Sequence, residues 1–139
     1  MRMVLDANIL IRAVLGTGRA FADAAGSKLD CLIVDAQVHE ALGVLTGRLG
    51  YSDRAARAVL EPALAQIGLI DADALDVGEA AARRRLEGGG QGDWPVLAAA
   101  QMLEGHIWSD DRDFFGVGVP VWSTRNLPMA IEQSVAVSH

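Results

Sequence analysis

The stretch Val4-Leu5-Asp6-Ala7-Asn8-Ile9-Leu10-Ile11 sets one carboxylate between two apolar runs. The first run, residues 3–5, is too short for a helix and reads as a buried strand. The second, residues 8–15, repeats its apolar residues at helical spacing and stops at Gly16. A strand that turns at once into a helix leaves Asp6 at the strand's carboxyl end, where open α/β sheets place their ligand sites. A charge set among so many apolar residues needs a partner, because burying it alone is very costly. The chain offers further carboxylates for that role rather than counter-charges, and this points to a metal cation.

The same strand-then-helix rhythm continues. A short helix is expected over residues 19–26, and a second buried strand over residues 30–34. Asp35 can cap a helix over residues 36–49, which carries Glu40 about one turn in. Ser52 or Asp53 caps a helix to about residue 66, with Pro62 placed to kink it or end it early. Residues 67–70 form a strand or connector. Asp76 and Glu79 have the spacing of a capping box for a helix to about residue 86, and the glycines at 88–90 end it. Asp93-Trp94-Pro95 opens the next helix, with Asp93 as its cap and proline in the first turn. His106-Ile107-Trp108-Ser109 is a strand running into Asp110-Asp111-Arg112-Asp113-Phe114-Phe115, where both phenylalanines are expected to anchor the loop. Val119-Pro120-Val121-Trp122 suits an edge strand. From Leu127 a short helix and a loose tail follow. Strands alternating with helices imply an α/β fold, a mainly parallel central sheet flanked by helices on both faces. We expect one domain over residues 1–139, with a core over about 2–125 and a tail over about 126–139.

Composition limits the function classes. Apolar residues make up 51% of the 139, so a packed core is expected. Polar or charged residues interrupt every apolar stretch, so no membrane span is expected. No signal peptide is expected ahead of the first strand, and a cytoplasmic location is the default expectation. Cys31 is the only cysteine, which excludes internal disulfides and thiolate metal sites. The net charge of −6 argues against nucleic acid only at first sight. Six of the 18 acidic residues are Asp6, Glu40, Asp93, Asp110, Asp111 and Asp113; the 12 that remain balance the 12 basic ones. Local rather than global charge therefore decides the partner.

Asp6 and the acids at 110–113 each follow a strand, and parallel strands end at one sheet edge. Glu40 and Asp93 sit near helix starts that reach the same edge. Converging carboxylates repel, which raises their pKa values unless cations fill the gap. Hard oxygen ligands suit Mg²⁺ or Mn²⁺, and Mg²⁺ in turn suits a phosphate or phosphodiester substrate.

These residues resemble the PIN domain family. Leu5-Asp6-Ala7-Asn8-Ile9-Leu10-Ile11 is similar to its opening, Val38-His39-Glu40 to its second acidic site and Asp93-Trp94-Pro95-Val96-Leu97 to its third. Trp108-Ser109-Asp110-Asp111-Arg112-Asp113-Phe114 is similar to its Thr/Ser-x-Asp-x-Asp-Phe segment. The four sites fall in family order across residues 4–115. Size and layout are similar to the VapC-like toxin branch, although Trp94-Pro95 departs from the usual third motif. The resemblance implies a PIN-like fold and a Mg²⁺- or Mn²⁺-dependent endoribonuclease, the toxin of a type II toxin–antitoxin pair. It implies an RNA substrate, a small antitoxin partner and a homodimer. Asp6, Glu40, Asp93 and Asp111 would be catalytic and hold the metal. Asn8, Ser109 and Asp113 would be auxiliary. Asp110 falls at the family's variable position.

Other readings are weaker. A receiver domain needs paired acids after the first strand and a late lysine, and the one lysine is Lys28. A haloacid-dehalogenase-type phosphatase needs Asp-x-Asp, and position 8 is Asn. The alternative from another class is a PIN-like module that binds RNA or protein without cutting. The bland readings of single residues are a helix cap for Asp6, a solvated face for Glu40, and a helix end for Arg83-Arg84-Arg85. Trp108 and Trp122 then belong to the core or an interface, His39 and His106 are structural, and the glycines at 88–92 form a connector. Exposed apolar faces around Phe21, Tyr51 and Val59 are candidate contact surfaces.

Overall fold

A computed structural model of the chain describes residues 1–86 and 90–137. Five strands, β1 (Arg2–Leu5), β2 (Asp30–Val34), β3 (Gly68–Ile70), β4 (His106–Trp108) and β5 (Val121–Trp122), form one sheet in the order β3-β2-β1-β4-β5. All four pairings are parallel, with Leu5 opposite Ile33 on one side and Trp108 on the other. Parallel neighbours need crossovers, and helices supply them: α1 (Ala7–Leu15), α2 (Arg19–Ala25), α3 (Asp35–Gly43), α4 (Asp53–Leu64), α5 (Glu79–Arg85), α6 (Trp94–Met102) and a final α7 (Leu127–Val137). The chain winds outward from β1 to β3, then returns to β4 on the other side of β1. The switch point of the topology is thus the gap between the carboxyl ends of β1 and β4.

The period-2 pattern of the strands divides the interior. Met3, Leu5, Cys31, Ile33 and Trp108 point to one core, shared with α1, α2, α3, α4 and α7. Val4, Val34 and Ile107 point to the other, shared with α5 and α6. Both faces of the central strands are covered, which explains why β1 and β2 read as unbroken apolar runs. Val96 to Ala100 are all fully buried, so α6 is an interior helix with hardly any polar face. The Cys31 thiol lies buried in β2, and burial pushes its pKa up to about 11.

Several local expectations are corrected. Val34, not Asp35, occupies the N-cap position of α3; Asp35 is already helical, and its carboxylate accepts from the Ala72 N–H at 3.0 Å. Asp76 caps no helix. It lies within a 3₁₀ segment, Ala72–Gly78, whose cap is Asp71, and α5 begins two residues later than a capping box requires. The helix expected to run to residue 49 changes pitch: α3 ends at Gly43 and a π-helical turn, Val44–Arg48, follows. Pro62 sits inside α4, which ends two residues later at Leu64. Phe114 is buried, whereas Phe115 is exposed and anchors nothing. Phe21 is buried in the core and is no contact surface. Gly88 and Gly89 lie outside the described residues.

Candidate active site

Asp6 follows β1 directly and caps α1. Its Oδ1 accepts from the N–H groups of Asn8 at 2.7 Å and Ile9 at 3.3 Å, two of the donors a helix start leaves unpaired. Its Oδ2 accepts from the hydroxyl of Ser109, the residue that follows β4. Leu5 pairs with Trp108 in register, so Asp6 and Ser109 face each other across the switch point. Ser109 Oγ in turn accepts from the Asp111 N–H at 3.0 Å. The cap reading of Asp6 is therefore correct and incomplete: the side chain is only 5% exposed and ties two strand ends together.

Asp111 repeats the device. Its Oδ1 accepts from the Asp113 N–H at 2.9 Å and starts a 3₁₀ turn, Arg112–Phe114. Asp93 stands at the N-cap position of α6 with no cap bond from its side chain, so its carboxylate is available for other work. Gly90 brings that segment close. Its φ is +69°, and a Cβ there would meet the Cβ and Oδ2 of Asp113 at 3.0 Å, so only glycine fits. Glu40 rises from α3 and is exposed.

Electrostatics show which of these groups share a space. Burial first, then the charges of Glu40, Asp6, Asp111 and Asp113, push the Asp93 carboxyl up to about 6. Although Glu40 as a whole is exposed, partial burial of its carboxyl and the charge of Asp6 raise its pKa, with Asp111 adding to the effect and Arg48 opposing it. Asp6 is raised mainly by burial; the Ser109 hydroxyl and the Ile9 and Asn8 amides pull the other way. Asp6, Glu40, Asp93, Asp111 and Asp113 thus converge on one acidic hollow, drawn from four separate stretches of chain. Arg48, brought round by the π turn, is a counter-charge that the sequence did not suggest. Asn8 contributes its backbone N–H to Asp6, while its side chain is exposed.

One neighbour was not foreseen, and one of the six clustered acids proves to lie elsewhere. Gln37, buried one turn into α3, accepts the Ala7 N–H on its Oε1 at 2.9 Å and fixes the turn after Asp6. A buried amide three residues before Glu40 was the available signal. Asp110 turns away from the hollow. It accepts from Arg12 Nη1, Thr124 N and Thr124 Oγ1, each at 2.7 Å. The other aromatic and basic candidates serve the fold. Arg83 pairs with Glu79 at 2.8 Å and lies 5.6 Å above the Trp94 ring, Trp122 donates to His106 Nδ1 at 2.9 Å, and Trp108 donates to Thr124.

An all-oxygen set of carboxylates with one hydroxyl is the donor chemistry of a hard divalent cation. Among the described residues, no three acidic, histidine or cysteine side chains already stand close enough to hold one ion. The set fits a cation that keeps much of its own water, as Mg²⁺ does.

A doubly wound parallel sheet with an acidic hollow at its switch point defines a class of α/β protein whose chemistry sits at the strand ends. Within that class the family is defined by sequence. The PIN domain model matches residues 4–132, and the chain belongs to the PIN domain family. No curated protein sequence matches it. Solved structures share its fold. DNA-bound VapBC from Salmonella typhimurium superposes with a TM-score of 0.72 at 15% identity, over 89% of this chain and 98% of that one. VapBC2 from Rickettsia felis, bound to a DNA fragment from its promoter, gives 0.71 at 15% over 88% and 98%. PAE2754 from Pyrobaculum aerophilum gives 0.69 at 18% over 96% and 90%. No helix among the described residues is long and apolar enough to cross a membrane.

Proposed function

We propose that the protein is a Mg²⁺- or Mn²⁺-dependent endoribonuclease, the toxin of a toxin–antitoxin pair, with a small antitoxin and a second copy of itself as partners. The observation that carries the reading is the convergence of Asp6, Glu40, Asp93 and Asp111 at the switch point, where the charges of the other three all raise the Asp93 pKa. Such a set is an electrostatic cost that a divalent cation would relieve. The likeness in fold to VapBC complexes supports the partner assignment.

Asp6, Glu40, Asp93 and Asp111 would hold the cation, which when bound supplies the positive charge to offset these acids and to polarise a phosphodiester. The chain's own groups do the rest. Ser109 and the amides of Asn8 and Ile9 fix both oxygens of Asp6 before any ligand arrives. The Asp111–Asp113 turn and Gly90 set the opposite wall. Ser109 is fully buried and already donates to Asp6, so it is no nucleophile; the attacking group is water. In-line hydrolysis of the P–O3′ bond then leaves a 5′-phosphate and a 3′-hydroxyl. Cyclic 2′,3′-phosphate ends would overturn that step, because they require the ribose hydroxyl as nucleophile.

The second reading, a PIN-like module that binds RNA or protein without cutting, is favoured by one observation: no three of the acids yet stand at ligand distance of a common point. Incubating a panel of structured and single-stranded RNAs with Mg²⁺, with Mn²⁺ or with EDTA, alongside Asp6→Asn, decides between them. Metal-dependent cutting that the variant lacks is expected. Binding of Mg²⁺ with no cutting of any RNA selects the second reading.

A further inference from the structure

A cleft of about 260 Å³ opens beside the acidic hollow without being part of it. It lies between α1, the turn leading to α2, and the segment after β5. Ile9, Phe21 and Trp108, all buried, form its apolar floor, and Arg12, Arg19 and Thr124 stand at its rim. It shares elements with the hollow: the Ile9 N–H binds Asp6, and Trp108 immediately precedes Ser109.

The rim is built, not loose. Arg12 is two-thirds exposed, yet its Nη1 is held by Asp110. Asp110 is held in turn by both donors of Thr124, and Thr124 Oγ1 accepts from Trp108 Nε1 at 3.1 Å. A guanidinium carries five N–H donors, and the contact with Asp110 uses Nη1 alone. Arg19 forms no ion pair among the described residues. Two arginines on one rim are a local anion site in a chain whose net charge is −6. Guanidinium forks match phosphate oxygens in pairs. A small cleft with an apolar, partly aromatic floor suits one flat ring rather than a drug-sized ligand, which needs roughly 300–1,000 Å³.

We infer that this cleft is a subsite for a single nucleotide, with the base on the apolar floor and the phosphate between Arg12 and Arg19. The inference deepens the ribonuclease reading and rests on it for the source of the nucleotide, the strand entering the acidic hollow. Asp110 then acts as a positioning residue that presents Arg12.

The test uses the whole protein in EDTA, titrated with adenosine and uridine 5′-monophosphates while the Trp108 indole N–H and the Arg19 and Phe21 amides are followed by NMR. Saturable shifts at these groups are expected, with inorganic phosphate at least tenfold weaker. Arg19→Ala should weaken nucleotide binding about tenfold, the loss of one charge-assisted contact. Ala20→Phe, which fills the cleft, should abolish it with the melting temperature kept. With Mn²⁺ and RNA, Arg19→Ala should raise KM and leave kcat unchanged. Nucleotide shifts without cutting of any RNA would remove the ribonuclease reading and leave the subsite standing. Normal cutting by both variants, or equal binding of phosphate and nucleotide, would overturn the subsite.

Discussion

Asp110 and Asp111 are neighbours in the chain and opposites in the fold. Asp110 is surrounded by donors, with Arg12 and both hydrogen-bonding groups of Thr124 at 2.7 Å. Asp111 adds its charge to those of Glu40, Asp6 and Asp113 around Asp93, and the charge that opposes them at Glu40 is Arg48. One carboxylate is compensated and holds the structure together. The other belongs to a group whose mutual repulsion Arg48 opposes at Glu40 and leaves standing at Asp93. The difference separates a structural acid from a functional one more cleanly than residue type or exposure does, because stability alone would favour removing uncompensated charge.

The comparison breaks most visibly in activity. Asp111→Asn should lower RNA cleavage by roughly a thousandfold or more, the scale of removing one electrostatic group from a charge-stabilising site. Asp110→Asn, which keeps an acceptor for Thr124, should stay within about tenfold. Equal losses in a metal-dependent cleavage assay would erase the distinction.

Stability should invert that order. Asp110→Ala strips partners from Arg12 and Thr124 and should cost about 1–2 kcal/mol in urea unfolding, at the lower end because the ion pair is exposed. Asp6→Asn keeps a good helix cap and should change the metal-free protein by less than about 1 kcal/mol. Gln37→Leu would leave the Ala7 N–H buried and unpaired, at a cost of about 1–3 kcal/mol.

Acid pH sharpens the contrast. A carboxyl whose folded pKa is raised binds its proton more tightly in the folded than in the unfolded state, so its contribution is fully present below the unfolded pKa and is lost as pH rises through the folded one. For Asp93 that window runs from its ordinary value of 3.8 to about 6. In EDTA the melting temperature should therefore fall as pH rises across this range, and Asp93→Asn should flatten the slope. A rise instead would mean that the hollow is compensated after all.

Metal binding separates the two acids once more. At a Mg²⁺ concentration about 100 times its dissociation constant, linkage adds about 2.7 kcal/mol, a rise of roughly ten degrees in a domain of this size. Asp6→Asn should lose most of that rise and Asp110→Asn should keep it.

The sequence by itself determined the elements whose signals are local. Residues 30–34 read as a strand because the short run after Asp30 was apolar throughout, and the structure has β2 over that range. The parallel α/β order followed from strands alternating with helices, and Asp6 was placed at a strand end because its neighbours on both sides are apolar. Only the tertiary structure decided what required groups distant in the chain. It set Asp35 on Ala72, Gln37 on Ala7 and Asp110 on Arg12 and Thr124, and it left Phe115 in solvent beside a buried Phe114. It also set Arg48, at the end of a π-helical turn, within electrostatic reach of Glu40. Periodicity and capping depend on nearest neighbours along the chain, whereas the partner of a polar side chain depends on which strands lie side by side. In this fold that is the return of β4 to the edge of β1, a contact spanning about a hundred residues that no local pattern encodes.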